Sequence, residues 1–393
     1  MAVALLSGSC TRESLPSEGN SPADGTIAFD AGMSLIEEDA TRASTTTDWN
    51  FINRTAFNAG EKFHVFGRRT GEGGNTRILG DNGVWVTSSD HDSNPATPVH
   101  WSYSPSSYWF WVNTSNFYDF VAAFYPDNDA APAHRMESSP GVDNPGYMAI
   151  EKSYSLASNN YDLLMAGTRR SGVDAANRSN KVPLAFHHML CAVRVWVTNE
   201  SEDVAKKVKL NSIKFDNLIQ SADVKATVDA VGEAEFSWID TQRTDAEITV
   251  YTNSSDPALA AGGGSYQPGD YTLLIPGDLS VAIDGSLEPD VKDYANPDAY
   301  EDALAAYEAK IPHLIINYTP TPPSGVARNR EIVLKNVKKS RYGSAEAISE
   351  WEMGVKYTYH VVIRLDGDVL VTVITTDWDR FDAETPGLLI DAD

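Results

Sequence analysis

The residue of this chain that most clearly indicates a chemical modification is Cys10. The apolar and small residues Leu6-Ser7-Gly8-Ser9 precede it, and a lipoprotein signal peptidase recognises such a stretch before the cysteine becomes a lipidated N-terminus. The pattern therefore predicts a lipid on Cys10 and export through the inner membrane. Leu6 lies four rather than the usual three positions before the cysteine. Because the apolar stretch is too short for a full signal and no Lys or Arg precedes it, we interpret residues 1–26 as a truncated lipoprotein signal and a polar linker. The alternative is that residues 1–26 are an arbitrary N-terminal segment without a signal function.

The histidines, the second cysteine and the carboxylates form no recognisable catalytic or metal-binding pattern. His187 and His188 are neighbours on a predicted strand, where their side chains point to opposite faces and cannot chelate one ion together. A buried, hydrogen-bonded histidine is predicted there instead. Cys191 lies in an apolar run, which favours packing over reactivity. The spacing around His91 does not fit an EF-hand loop, so a solvated turn is predicted there, with a cation site in this loop as the alternative. We therefore predict no catalytic residue, no metal site, no cofactor and no enzyme activity.

A cluster of aromatic residues indicates another kind of chemistry, the stacking of rings on sugars. Its members are Trp101, Tyr108, Trp109 and Trp111. If they are exposed, they form a ligand-binding patch. The alternative is a pair of alternating strands whose rings fill a core while the polar tips of Trp and Tyr form hydrogen bonds at its edge.

The charge of the chain excludes one class of partner. Its 393 residues include 55 Asp and Glu but only 31 Lys and Arg, which gives a formal net charge of −24. Such a chain repels phosphate backbones, so nucleic-acid binding is disfavoured. No stretch approaches the roughly 20 apolar residues that a spanning helix needs, and membrane attachment is therefore expected through a lipid.

Period-two alternation of apolar and polar residues recurs along almost the whole chain, with Gly, Asn, Asp and Pro between the segments. Many short strands of this kind predict an all-β protein built from β-sandwiches. The first predicted strand contains Ile27 and Phe29. The clearest later strands are 63–66, 84–87, 193–197, 208–215, 271–275, 314–318, 357–365 and 369–375.

One helix and one domain boundary interrupt this pattern. Asn296 can cap a helix over about residues 297–310, which carries an apolar stripe at i, i+4 and i+7 and is stopped by Pro312. The length of the chain favours two domains. A polar stretch at 168–182 predicts an N-terminal domain at 27–180 and a C-terminal domain at 181–393, with the helix as an insertion in the second.

Arg42 lies in a polar segment, Glu37-Glu-Asp-Ala-Thr-Arg-Ala-Ser-Thr-Thr-Thr, after the first predicted strand. A protease cuts readily in such an exposed loop. A solvated surface arginine is the alternative.

Six stretches of the chain form a pattern that is specific in its order and spacing. They are Thr41-Arg-Ala43, Trp101-Ser-Tyr-Ser-Pro105 with Tyr108-Trp109, Tyr118-Asp-Phe-Val-Ala-Ala-Phe-Tyr-Pro126, Val182-Pro-Leu-Ala-Phe-His-His-Met-Leu190, Leu273-Leu-Ile-Pro276, and Gly354-Val-Lys-Tyr-Thr-Tyr-His-Val-Val-Ile363 followed by Asp377-Trp-Asp379. In these stretches the chain resembles the fimbrillins, which build type V pili on certain Gram-negative bacteria, and the resemblance covers nearly the whole chain.

The resemblance implies two tandem transthyretin-like β-sandwiches and a precursor that is exported as a lipoprotein to the outer membrane, lipidated at Cys10. A surface arginine-specific protease then cuts between Arg42 and Ala43, and Arg54 is a second candidate. Cleavage removes the first strand, and a C-terminal strand of a neighbouring subunit replaces it in a head-to-tail filament. The candidate donor residues are Val369, Val371, Val373, Leu388 and Ile390.

The position of the subunit within the pilus stays open at this point. A stalk subunit is the first interpretation, and an accessory or tip adhesin, a glycan-binding lipoprotein and a membrane anchor are the alternatives. Expected partners are other pilin subunits, the maturation protease and host proteins or glycans, at the cell surface.

Overall fold

The structure is a computed structural model. It describes residues 27–33, 57, 60–71, 74–88, 101–104, 115–137, 147–171, 181–200, 207–228, 232–245, 247–252, 258–259, 265–266, 271–321, 326–339, 346–364 and 369–377.

Strands dominate the described residues, as the alternating pattern predicts. The strands up to residue 188 are β1 (Phe29–Met33), β2 (Lys62–Gly71), β3 (Gly74–Ile78), β4 (Val84–Ser88), β5 (Trp101–Ser102), β6 (Ser115–Phe124), β7 (Ala133–Glu137), β8 (Tyr147–Ser155), β9 (Leu164–Ser171) and β10 (Val182–His188). The later strands are β11 (Cys191–Asn199), β12 (Lys207–Asp216), β13 (Ile219–Val228), β14 (Ala234–Arg243), β15 (Ile248–Thr252), β16 (Ala258–Leu259), β17 (Ser265–Tyr266), β18 (Thr272–Leu274), β19 (Gly277–Asp278), β20 (His313–Thr321), β21 (Arg328–Val333), β22 (Lys338–Lys339), β23 (Glu350–Trp351), β24 (Val355–Ile363) and β25 (Val369–Asp377).

These strands form four main sheets. Sheet I has the order β1-β10-β9-β6-β2-β4-β5, with β3 beside β2, and sheet II has the order β14-β13-β8-β7. Sheet III has the order β17-β11-β24-β25-β22, with β18 beside β11, and sheet IV has the order β15-β12-β20-β21, with β16 beside β12. The strands β19 and β23 form a short separate pair.

Each apolar core lies where alternating side chains of these sheets meet. One face of sheet I contributes Phe63 and Phe120 to a first core. Its other face contributes Phe66 and Val121 to a second core, shared with Val224 of sheet II. Sheets III and IV enclose a third core. The all-β prediction is therefore confirmed.

The predicted division at residues 180/181 stays a prediction, but strands on both sides of it share sheets. Strand β10 pairs with β1 and β9 in sheet I, and β13 pairs with β8 in sheet II. The chain passes from sheet I to sheet III through Met189 and Leu190 alone. It passes from sheet IV to sheet II through Asn217 and Leu218, and Asn217 adopts a φ of 55°, a left-handed conformation that Asn tolerates.

The predicted helix is present as α1 (Pro297–Glu308), between β19 and β20. The Asn296 side chain accepts a hydrogen bond from the Ala299 N–H at 2.8 Å, so it caps the helix as predicted. Tyr307 and Leu304 pack on Ile311 in a small cluster of their own. Two 3-10 turns lie at Val291–Asp293 and Leu334–Asn336. In the described part of the chain, no helix is long and apolar enough to cross a membrane.

Candidate functional site

Strand β1 lies at one end of sheet I and fills part of the first core. The predicted first strand, Ile27 to Phe29, overlaps its beginning. Ile27 is 0% and Phe29 is 1% exposed. The Phe29 ring makes edge contacts with Phe63 and Phe120 and a tilted contact with Tyr103, at centroid distances of 6.2, 5.8 and 5.9 Å. Full burial of two such side chains contributes roughly 3–6 kcal/mol to the docking of β1.

Among the described residues, the backbone of β1 forms a ladder on one edge only. It runs parallel to β10, with Phe29 opposite Val182 and Ala31 opposite Leu184. The Val182 N–H donates to the Ala28 carbonyl at 2.7 Å. Because successive carbonyls of a strand point to alternate edges, the carbonyls of residues 27, 29 and 31 point away from β10.

Side chains from the chain around β5 bind this second edge. The Trp101 Nε1–H donates to the Ala31 carbonyl at 3.0 Å, and the Tyr103 hydroxyl donates to the Ile27 carbonyl at 2.8 Å. Both side chains are buried. We call the space between β10 and β5 that β1 fills the β1 groove. Sequence reasoning missed Tyr103, although its position two residues after Trp101 places both side chains on one face of an extended segment.

The β1 groove combines a hydrogen-bonding strand edge with buried aromatic rings. An edge strand that is lost leaves a row of unpaired backbone groups, and such an edge pairs readily with another chain. Loss of β1 also removes the cover of the aromatic rings of Phe63 and Phe120. An empty β1 groove therefore offers both a hydrogen-bonding edge and an apolar floor to an extended peptide.

The aromatic cluster predicted as a ligand patch is in part a core element. Trp101 is only 9% exposed and stacks edge-on against Phe57 and Phe63, at 5.3 and 4.8 Å. Its ring is therefore not available to a sugar, because the first core already covers it. Tyr108, Trp109 and Trp111 lie outside the described residues, and so do Cys10, Arg42, Ala43, Arg54 and His91.

Three of the candidate donor residues, Val369, Val371 and Val373, belong to β25 inside sheet III. Strand β25 pairs with β24 along its whole length and with β22 at Thr372 and Val373. Val373 is fully buried. Donation of β25 to a neighbour would require its removal from sheet III, and the role of these three residues as donors stays a prediction. Leu388 and Ile390 lie outside the described residues.

The histidine pair and the second cysteine have structural surroundings, as the sequence predicts. His188 is buried and its Nδ1 lies 2.7 Å from Oδ2 of the buried Asp162. Cys191 is fully buried and donates its S–H to the Leu274 carbonyl at 3.4 Å. Burial raises the pKa of the Cys191 thiol, which opposes formation of the reactive thiolate. Among the described residues, no three His, Cys, Asp or Glu side chains come together as a metal site.

A separate polar cluster surrounds Asp129, in the loop after β6. Its Oδ2 accepts hydrogen bonds from Lys152 at 2.8 Å, from Tyr161 at 2.5 Å and from Asn159 at 3.3 Å. Burial opposes ionisation of Asp129, but the hydrogen bonds from Lys152 and Tyr161 outweigh it and hold the pKa of this carboxyl below its usual range. The cluster anchors the loop to β8 and lines an open cleft beside that strand.

Several solved structures match almost the whole chain. A candidate cell adhesion protein from Bacteroides uniformis has 15% sequence identity, with 91% of this chain and 99% of that chain covered and a TM-score of 0.43. A candidate cell adhesion protein from Parabacteroides distasonis has 7% identity, coverage of 89% and 96%, and a TM-score of 0.45. The tip fimbrial protein Mfa3 from Porphyromonas gingivalis, with a C-terminal truncation, has 9% identity, coverage of 84% and 97%, and a TM-score of 0.36. A search of curated proteins found no match.

The fold is that of an all-β protein whose strand β1 pairs with β10 and fills part of the first core. The model of the fimbrillin-like family matches residues 41–378, and the chain belongs to this family. The resemblance seen in the sequence is confirmed. Family membership places the chain among pilus and adhesion proteins, which associate with other pilus subunits.

Proposed function

We propose that the chain is a structural subunit of a type V pilus and that strand exchange at the β1 groove assembles it. A protease cuts after Arg42, β1 leaves, and a strand of a neighbouring subunit takes its place. The observation that carries this proposal is that β1 fills the first core with Ile27 and Phe29, yet among the described residues it has a backbone ladder only with β10.

The position of Arg42 makes β1 separable. It lies between β1, which ends at Met33, and β2, which begins at Lys62. After a cut at Arg42, only non-covalent contacts hold β1 to the rest of the chain. A strand of a neighbouring subunit can then form the same backbone hydrogen bonds with β10 and cover the same apolar side chains of the first core. Because each subunit donates a strand to one neighbour and accepts a strand from another, the contacts repeat head to tail and generate a filament.

The order of the predicted sites links export to assembly. Cys10 precedes β1, so a lipid on Cys10 and the strand leave together when the chain is cut at Arg42. The lipid holds the precursor at the outer membrane, and cleavage releases a subunit with an empty β1 groove. In this scheme the pilus presents the protein at the cell surface and supports adhesion to host proteins or glycans.

Cleavage of the purified precursor tests the scheme. An arginine-specific protease should produce a new N-terminus at Ala43, followed by a ladder of oligomers. The Arg42→Gln variant should remain uncut at this position and monomeric, whereas Arg54→Gln should be cut and assemble normally. Complete cleavage at Arg42 that leaves only monomers would contradict the proposed function.

Mass spectrometry of the N-terminus on native cells tests the export steps. The precursor pool should carry lipid on Cys10, and the filament pool should begin at Ala43. A filament pool that retains Cys10 would contradict removal of the lipid together with β1.

A further inference from the structure

The outer face of sheet III, opposite the third core, exposes apolar side chains to solvent. Leu370 and Ile374 of β25 are 43% and 44% exposed. They lie on the face opposite the fully buried Val373, because alternate residues of a strand share a face. Val362 of β24 pairs with Leu370 and extends this apolar surface. Among the described residues, five large apolar side chains are exposed, and two of them lie here.

Basic side chains border this apolar surface. Lys356 of β24 lies six residues before Val362 and therefore points to the same face. Lys338 of β22 is exposed and pairs with Thr372 of β25, which lies between Leu370 and Ile374. In the described strands of sheet III, no Asp or Glu occupies a position on this face. We call Leu370, Ile374, Lys338 and Lys356 the basic–apolar patch, which is locally positive in a chain of formal net charge −24.

A second exposed apolar pair lies on a segment of the opposite charge. Leu287 and Val291, which are 72% and 58% exposed, belong to the loop between β19 and α1. Residues 284–308 include eight acidic residues and one lysine. Lys310 and Lys335 bind two of the acidic side chains from outside this segment, at 2.8 and 2.7 Å, and acidic residues remain in excess. We call residues 284–293 the acidic loop.

The acidic loop and the basic–apolar patch match in spacing as well as in charge. Leu370 and Ile374 are four residues apart on a strand, which separates them by about 13 Å. Leu287 and Val291 are also four residues apart, with no helix or turn from 287 to 290, and their separation is at most about 14 Å. Exposed apolar patches with polar rims mark protein contacts. Opposite charges on the two rims favour this pairing over others.

We propose that the acidic loop of one copy of the chain docks on the basic–apolar patch of a second copy. Leu287 and Val291 then cover Leu370 and Ile374, and the acidic rim lies against Lys338 and Lys356. The contact joins two different surfaces, so each copy can bind two neighbours and the contact can repeat along a chain of subunits. It involves neither β1 nor the β1 groove. The docking therefore goes beyond the proposed strand exchange and precedes any cleavage.

Sedimentation of the uncleaved full-length precursor at low ionic strength tests the docking. A contact this small belongs to the weak class of interfaces, so the natural chain should self-associate at concentrations up to about 1 mM. Asp293→Lys, at the end of the acidic loop, and Lys338→Glu, in the patch, should each weaken the association about tenfold. A natural chain that stays monomeric, or equal association of all three proteins, would overturn the proposal.

A mixture of the two charge variants tests whether different surfaces meet. Lys338→Glu keeps a natural acidic loop, and Asp293→Lys keeps a natural patch. An equimolar mixture should therefore form dimers through one intact contact, and no larger oligomers, because each dimer ends in two altered surfaces. A mixture that associates no more than the separate variants, or that forms long oligomers, would contradict the pairing of loop and patch.

An apolar substitution with a matched control tests the role of the exposed side chains. Leu287→Ser removes an apolar side chain from the loop and should weaken the association about tenfold. Val326→Ser is the control, because Val326 is 66% exposed and lies in neither surface, and its association should match that of the natural chain. Equal association of the two variants would overturn the proposal.

The outcomes separate the docking from the proposed function. All of these measurements use the uncleaved precursor, in which β1 still fills the β1 groove. A monomeric precursor that forms ladders after cleavage at Arg42 would overturn the docking and support strand exchange. A precursor that associates as described, but gains no oligomers on cleavage, would support the docking and contradict strand exchange.

Discussion

Truncation of Phe29 to alanine should destabilise the precursor and leave the assembled protein unchanged. Phe29 is 1% exposed and contacts three aromatic rings in the first core. Replacement of a buried phenylalanine by alanine typically lowers the free energy of unfolding by about 3–5 kcal/mol. Because β1 has a ladder on one edge only, this loss should appear mainly as opening of β1.

The matched control for this variant is Phe186→Ala. Phe186 is 0% exposed on β10 and contacts Phe57 and Phe63 at 5.3 and 5.2 Å, in the same core. Cleavage removes Phe29 but not Phe186. Phe186→Ala should therefore destabilise the precursor and the assembled form alike, whereas Phe29→Ala should affect the precursor alone.

Hydrogen exchange and urea unfolding of both forms measure these effects. A loss of about 3 kcal/mol corresponds to an increase of about 150-fold in the opening equilibrium of residues 27–33 in the precursor. The assembled form of Phe29→Ala should unfold at the same urea concentration as the natural assembly. A loss below about 1 kcal/mol in the precursor, or an equal loss in both forms, would refute the role of β1 as a removable part of the core.

Three further predictions concern other buried groups. His188→Ala leaves the Asp162 carboxylate buried without its histidine and should lower the free energy of unfolding by about 3–5 kcal/mol in urea titrations; a loss below about 1 kcal/mol would contradict this pairing. The Cys191 thiol, whose pKa is raised by burial, should not react with a thiol reagent at pH 8 until urea unfolds the chain, and fast labelling of Cys191 itself, read in the Cys10→Ser variant of the native protein, would be the contrary result. Burial lowers the pKa of His360, so the folded state prefers the neutral imidazole. The stability that this residue contributes is fully present above about pH 6.5, the pKa of histidine in the unfolded chain. This stability is lost as the pH falls from there towards the lower pKa of the folded state. His360→Gln should remove that acid-dependent part of the urea midpoint, and an unchanged pH profile would contradict the assignment.

Local sequence patterns predicted the secondary structure well, because those patterns arise from neighbouring residues. The predicted strand at 63–66 lies within β2, and the one at 357–365 overlaps β24. The helix predicted over about 297–310 spans Pro297–Glu308, since the cap at Asn296 and the stop near Pro312 are both local signals.

The functional site could be predicted only in part. Ile27 and Phe29 were recognised as a strand, and Trp101 was recognised as either a core residue or a ligand residue. The contacts between β1 and the chain around β5 were not predictable, because the hydrogen bonds from Trp101 and Tyr103 to β1 join residues about 70 positions apart in the chain. The donor prediction included Val369 to Val373, because an alternating strand looks the same in sequence whether it is free or paired inside a sheet.

The sequence by itself determined the all-β class, the capped helix, the structural role of His188 and Cys191, and the family resemblance. Only the tertiary structure decided that β1 pairs in parallel with β10, that β25 is held inside sheet III, and that Trp101 faces the first core. The physical reason is that side-chain periodicity is set by neighbours along the chain, whereas strand partners and burial depend on contacts between distant segments.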